Sequence, residues 1–207
     1  MRMLNTGQKA NVRNKKHKGT NKNKKYAKMK VPVNLVVLVN KKNRKVGVAE
    51  KIEAHKRGLL HRAFSIFVFN KKGELLIQKR ALTKYHSGGI WANSVCSHPK
   101  PGEFLLQAAH RRLKEEMGFD CRLKKEFCFI YKASFKNGLT ENEYDCVIAG
   151  RTDTTPKPNP EEVADYAWIS VGKLKKDIKK NPEKYSVWLK IALKKWPKKQ
   201  LDLYTSN

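Results

Sequence analysis

Between Gly102 and Gly118 the chain has one good local solution, a helix. In Glu103 to Met117 the apolar residues Phe104, Leu105, Ala108, Ala109, Leu113 and Met117 recur at steps of three and four, the period of one face of an α-helix. Gly102 precedes the segment and Gly118 follows its last apolar residue, where helices commonly end in a left-handed turn that glycine adopts without strain. On either side the period changes. Runs rich in β-branched and aromatic residues stand at Val33 to Asn40, Ala63 to Phe69, Glu74 to Lys79 and Trp91 to Cys96 before the helix. Others stand at Glu126 to Tyr131, Glu143 to Gly150 and Tyr166 to Ser170 after it. These read as strands, with a turn at Asn70 to Gly73 and a proline-rich connection from Pro156 to Pro160. The C-terminal part reads as helix, roughly Val171 to Lys180 and Glu183 to Lys195, with Val187, Leu189, Ile191, Leu193 and Trp196 available to pack. The sum is an α+β domain, a mixed β-sheet with flanking helices.

Ahead of that domain the composition is different. Residues 1–30 are rich in lysine and asparagine, with Val, Leu and Met at no period, and read as a disordered basic tail that cannot bury enough apolar surface to order itself. The organisation is therefore a tail over 1–30 and one domain over 31–207, which a chain of 207 residues accommodates. Net charge is +28, from 46 Lys and Arg against 18 Asp and Glu. Residues 1–49 supply fifteen of the basic residues and no acid, because the first carboxylate is Glu50. Such a field attracts anions, whether nucleic acid, lipid or phosphorylated metabolite, without naming which. A targeting segment is the sharper reading of the tail, but transit peptides are rich in Arg and Ser, and here no serine precedes Ser65.

The longest apolar run, Leu35 to Val39, is strand-sized, far short of the ~20 residues of a membrane-spanning helix. Cys96, Cys121, Cys128 and Cys146 lie at spacings of 25, 7 and 18 with no CxxC pair. The expectation is a reducing, cytoplasmic setting with thiols free for chemistry. The residues do not choose between a monomer and a dimer.

The chemistry begins at the helix. Ser97-x5-Glu103-x7-Arg111-Arg112-Leu113-Lys114-Glu115-Glu116-Met117-Gly118-Phe119 has the spacing of the Nudix box, G-x5-E-x7-REUxEExGU, and resembles that magnesium–diphosphate site. Carboxylates near a helix end offer the hard oxygen ligands that Mg²⁺ shares with phosphate. Two positions depart: serine replaces the first glycine, and Arg112 replaces a glutamate. Glu115 and Glu116 also lie four residues after Arg111 and Arg112, which suits surface ion pairs. The flanks are more specific. Trp91-Ala92-Asn93-Ser94-Val95-Cys96-Ser97-His98-Pro99, with Thr140-Glu141-Asn142-Glu143, is similar to the WxNSxCxHP and ENE signatures of the type I isopentenyl-diphosphate Δ-isomerases, enzymes of Nudix-like fold. The resemblance runs from about Val33 to about Lys195 and accounts for the altered box, since an isomerase need not activate a hydrolytic water.

That resemblance implies reversible 1,3-allylic isomerisation of isopentenyl diphosphate to dimethylallyl diphosphate, in isoprenoid biosynthesis. It implies a divalent metal, Zn²⁺ or Mn²⁺, held by His55, His61, His98, Glu141 and Glu143, and Mg²⁺ held by Glu116 with the substrate diphosphate. Cys96 and Glu143 are implied as the acid–base pair, with Tyr131 bonded to the glutamate. The cysteine needs a depressed pKa to act as a thiolate, which nearby cations favour. Trp188 is implied as the aromatic face that stabilises a carbocation, and Lys51, Arg80 and Lys84 as the contacts of the diphosphate. His55 and His61 stand six residues apart, one fewer than in the family's bacterial members, and Val187 stands where those have proline. His17, His86 and His110 are expected to be ordinary surface or core residues. The alternatives are a Nudix hydrolase of a diphosphate substrate, and a nucleic-acid-binding protein that uses its basic tail. The second lacks the interleaved aromatics of such surfaces, Tyr26 being the only aromatic before Phe64.

Overall fold

The computed structural model describes residues 34–206; the basic tail assigned to 1–30 and the strand start at Val33 lie outside the described residues. In chain order the elements are β1 (Leu35–Val39), β2 (Lys45–Glu50), α1 (Lys51–Lys56), β3 (His61–Phe69), β4 (Glu74–Arg80), β5 (Trp91–Asn93) and β6 (Val95–Ser97). There follow α2 (Leu105–Met117), β7 (Leu123–Ser134), β8 (Thr140–Arg151), β9 (Val163–Ser170), α3 (Val171–Lys180), α4 (Val187–Lys195) and α5 (Lys198–Thr205).

The central strand is β3. One edge pairs in parallel with β8 along its whole length, and the other meets β1, β6 and β4 in turn, all antiparallel. Being covered on both faces, β3 is buried almost throughout, as strands in the middle of a two-sided sheet are. Alternation along it sorts the core. Phe64, Ile66 and Val68 point to the layer of α2, where they meet Ala108, Ala109, Leu113 and Met117. Phe67 and Phe69 point to the other layer, against Leu174 of α3, Trp188, Leu189 and Leu193 of α4, and Leu201 of α5.

Helix α2 ends where expected but starts at Leu105 rather than Glu103: Phe104, placed on the apolar face by its spacing, precedes the first turn and is 75% exposed. Gly118 ends the helix at φ 73°, and a Cβ there would run into the Lys157 carbonyl, since the proline-rich connection docks on the helix end through Lys157 N to Met117 O and Asn159 N to Glu116 O, both 2.9 Å. Leu113 is fully buried in the core between this helix and the sheet. Leu113→Ala is expected to lower unfolding stability by about 2–5 kcal/mol, read as a shift in urea midpoint at unchanged slope.

Three expectations are corrected. The run Trp91 to Cys96 is two strands that separate at Ser94, where β5 stays on β4 and β6 crosses to β3. Ser94 pins the crossing by accepting from Val68 N at 2.9 Å and donating to Leu76 O at 2.7 Å. The last helix begins at Val187 rather than Glu183, because Ser186 caps it through a bond from Leu189 N. Finally, Cys128 and Cys146 oppose each other directly on β7 and β8 and form a disulfide, Cα–Cα 4.0 Å. Two of the four thiols are therefore not free; Cys96 and Cys121 are.

Candidate active site

Sheet register assembles the site. Glu141, Glu143 and Asp145 alternate on β8 and so share one face. The parallel pairing of β3 and β8 sets His61 beside Glu143, and the antiparallel pairing of β7 and β8 sets Tyr131 on its other side. Tyr131 Oη donates to Glu143 Oε2 at 2.7 Å. On the far edge of β3, Cys96 of β6 lies opposite Ser65. Helix α1 brings His55 over this row, and the turn after it, with Gly58 at φ 58°, returns the chain to His61. The six-residue spacing thus closes: the two imidazole centroids are 4.8 Å apart.

Four of the five expected ligands, His55, His61, His98 and Glu143, present one ligand atom each within 4.8 Å of one another, and Glu141 Oε2 lies 3.2 Å from His55 Nε2. His55 Nδ1 and His61 Nδ1 each donate to a carbonyl, of Lys51 at 2.6 Å and Leu59 at 2.7 Å. Their Nε2 lone pairs are thereby turned inward, the arrangement of metal-binding histidines. His55 Nε2, His61 Nε2 and Glu141 Oε2 are all buried without a hydrogen-bond partner. Three orphaned ligand atoms of this chemistry are costly unless a cation satisfies them, so the donor set fits a divalent metal. His98 Nε2 bonds Glu143 Oε1 at 2.9 Å. Burial pushes the Glu143 carboxyl up, but His61 and His98 outweigh it and hold the group well below the usual carboxylate range. For His55 the balance is similar: burial disfavours the charged ring, and Glu141 overrides it and raises its pKa.

Cys96 departs from expectation. Burial is the largest influence on its thiol, Asp145 adds to it, and the opposing charge of Arg80 does not compensate, so the pKa lies well above the ordinary value rather than below it. The thiol is also held in place. Asn93 spends its amide N–H groups on the carbonyls of Ile66 and Val95, both at 2.9 Å, which aims its Oδ1 at Cys96 Sγ, 3.0 Å away.

Two adjoining cavities share Arg80, Tyr85, Cys96, Ser97 and His98 as walls. The inner one, about 30 Å³, is lined further by Tyr131, Glu141, Glu143 and Trp188. The outer one, about 350 Å³, is basic, with Lys51, Lys84, Lys100, Arg111 and Arg112 around it. Lys84 pairs with Glu162, and burial brings its ammonium pKa down to about 8. The Arg80 guanidinium lies 5.2 Å from the centre of the Trp188 ring. A larger cleft of about 680 Å³ between α3 and the C-terminal helices contains none of these residues.

Within the helix motif, Arg112 reaches Glu115 at 2.7 Å, Glu116 at 2.6 Å and Glu162 at 3.0 Å. Glu116 gives its second oxygen to Gln78 at 3.2 Å. A guanidinium therefore occupies the midst of the carboxylates, and Arg112 faces the basic cavity, a placement its pattern position did not suggest. Arg111 makes the expected pair with Glu115 but gives both arms to Glu103, at 2.7 and 2.8 Å. His110 is a surface residue paired with Asp120. His86 is not ordinary: it lies 6% exposed in the inner cavity, its Nε2 2.7 Å from Glu141 Oε1.

Residues 59–189 match the NUDIX domain family. The fold likeness extends to crystal structures of DR0079 from Deinococcus radiodurans (TM-score 0.60, 22% identity, 72% of this chain and 90% of that one) and of a MutT protein from Methanosarcina mazei Go1 (TM-score 0.53, 17% identity, 72% and 96%). Similarity in sequence is far higher to isopentenyl-diphosphate Delta-isomerase 2 of Photorhabdus laumondii, 56% over 156 residues, covering 75% of this chain and 88% of the relative. The isomerase 2 of Aromatoleum aromaticum is 51% identical over 158 residues (76% and 84%), and the isomerase of Pectobacterium atrosepticum 45% over 167 (81% and 93%). The chain belongs to the isopentenyl-diphosphate Delta-isomerase family. The isomerase signatures at Trp91 to Pro99 and Glu141 to Glu143 thus fall on β5, β6 with the two residues that follow it, and β8.

Proposed function

We propose that the chain interconverts isopentenyl diphosphate and dimethylallyl diphosphate. The observation that carries this reading is a pair of adjoining cavities with Cys96 in the wall of both: a basic one suited to a diphosphate, and an inner one lined by Glu143, Tyr131 and Trp188. Lys51, Arg80 and Lys84 bind the diphosphate, assisted by Arg112, and their cationic donors match phosphate oxygens. With the diphosphate so anchored, the C5 chain points past Cys96 toward the inner cavity.

Moving the double bond requires a proton added at C4 and another removed from C2. Cys96 and Glu143 supply the two ends. The resting protein favours a proton on the thiol and none on the carboxylate, so one acid and one base are in place before substrate arrives. Tyr131 steadies the carboxylate by its 2.7 Å bond. The tertiary cation formed in between gains from the face of Trp188, and burial keeps out the water that would trap it. His55, His61, His98, Glu141 and Glu143 would hold a divalent ion, Zn²⁺ or Mn²⁺ by the mixed imidazole and carboxylate donors, and Glu116 would hold a Mg²⁺ brought in with the diphosphate. Such ions supply positive charge that fixes carboxylates and screens phosphate oxygens.

Hydrolysis of a diphosphate is disfavoured by Arg112, which sets a guanidinium among Glu115, Glu116 and Glu162 where a hydrolytic cluster would crowd several metal ions together. Incubation with isopentenyl diphosphate and Mg²⁺ tests the reading. Allylic product with the diphosphate intact is expected; inorganic phosphate without allylic product would contradict it.

A further inference from the structure

His86 sits on the loop between β4 and β5, and the loop is held from two sides. Arg80 donates to the carbonyls of His86 and Ser87, at 3.2 and 3.1 Å, and Asn137 of the β7–β8 hairpin donates to Tyr85 O at 3.1 Å. The imidazole is stacked on Phe135 of that hairpin, centroids 4.8 Å apart and 11° from parallel, and meets the edges of Tyr85 at 4.4 Å and Trp188 at 6.0 Å. Gripped by three aromatic rings, it has little freedom to turn. Its Nδ1 is 3.1 Å from Ser87 Oγ. Its Nε2 is buried, has no in-line hydrogen-bond partner, and meets Glu141 Oε1 at 2.7 Å in a bent contact.

A nitrogen 2.7 Å from an anionic oxygen is attracted to it when it carries a hydrogen. With that hydrogen on Nε2, Ser87 O–H donates to Nδ1 across 3.1 Å. Glu141 is consequently shared by its two oxygens. Oε1 faces His86, and Oε2 faces His55 Nε2 at 3.2 Å and has no hydrogen-bond partner of its own. We propose that His86 is a positioning residue for Glu141: its imidazole, held 2.7 Å from one carboxylate oxygen, turns the other toward the histidine cluster. The inference rests on the reading of that cluster as a divalent-metal centre. It adds a sixth side chain, one that acts through a ligand rather than as one, and it links the metal ligands to the aromatic wall through the contact of His86 with Trp188. Partners of this kind orient ligands elsewhere, and losing one typically costs about 10–100-fold in metal affinity.

Titration of the full chain with Co²⁺, followed by its ligand-field absorption, tests the proposal without reference to turnover. His86→Ala is expected to weaken cobalt binding by about 10–100-fold and to alter the spectrum. His86→Gln, whose amide N–H₂ reaches about as far as Nε2, should restore most of the affinity and the wild-type spectrum. His86→Asn keeps a partner for Ser87 but falls short of Glu141; it carries the same expectation as alanine and stands in for it if that variant does not fold. Wild-type affinity and spectrum in His86→Ala or His86→Asn would overturn the proposal. So would a His86→Gln variant as weak as the others, because the ring would then be a ligand itself. A wild-type chain that takes up no cobalt would overturn the metal reading and the proposal together, which separates the two failures.

Discussion

Cys96→Ala is expected to lower isomerisation by about 10²–10⁴-fold, the usual contribution of one acid–base group, while unfolding stability and metal content stay near those of the wild type. The separation of effects follows from where the thiol lies. Cys96 lines both cavities, and its partners are Asn93 Oδ1 and Ser65 Oγ; the Asn93 amide keeps its bonds to Ile66 and Val95, and Ser65 its bond to Asp145, whether or not the thiol is present. It is not among the residues that could ligate an ion. Loss of its small side chain leaves the β3–β6 pairing intact, because that ladder is made by backbone. Turnover by Cys96→Ala at a rate close to wild type would remove the thiol from the proton transfer and leave Glu143 without its counterpart.

Glu143→Gln is expected to lose both properties at once. Its carboxylate is bonded to His98 and Tyr131 and lies 3.6 Å from His61 Nε2. The amide keeps the shape and an acceptor for Tyr131, but has neither the negative charge that offsets the imidazole cluster nor a lone-pair set for a cation on both atoms. Metal affinity should fall by at least the 10–100-fold typical of supporting partners, and turnover by about 10² or more. Metal stoichiometry and rate both at wild-type values would show that the cluster is not the centre argued above. The two variants also discriminate between them, since Cys96→Ala is expected to keep its metal and Glu143→Gln is not.

Much of this was legible in the residues, and the failures have physical causes. Helix α2 could be read because its period extends over several turns and ends at a glycine. Strand β3 could be read because it is buried on both faces and nearly continuous in hydrophobicity, and β4 and β8 because each contains a buried apolar stretch, Leu75 to Ile77 and Cys146 to Ala149. Helix α1 was missed because six residues are too few to display a period, β2 because it is mostly exposed, and α5 because it buries little beyond Leu201. The residues of the Glu141–Asn142–Glu143 and Cys96 motifs were found by their order. What order could not supply was register: the opposition of Cys128 to Cys146, and the environment that raises rather than lowers the Cys96 thiol, exist only once β3, β6, β7 and β8 are aligned. His86 was invisible for the same reason. It is a lone histidine in a loop of Ser and Gly, and only the return of β8 brings Glu141 to it.

The most direct measurement is turnover of isotopically labelled isopentenyl diphosphate by the full chain with Mg²⁺ in deuterated water, scoring acid-labile allylic product, deuterium in that product, and released phosphate. Dimethylallyl diphosphate carrying solvent deuterium, with the diphosphate intact, is the expected result. Phosphate released without allylic product would contradict it, and would mean that these cavities serve a hydrolase.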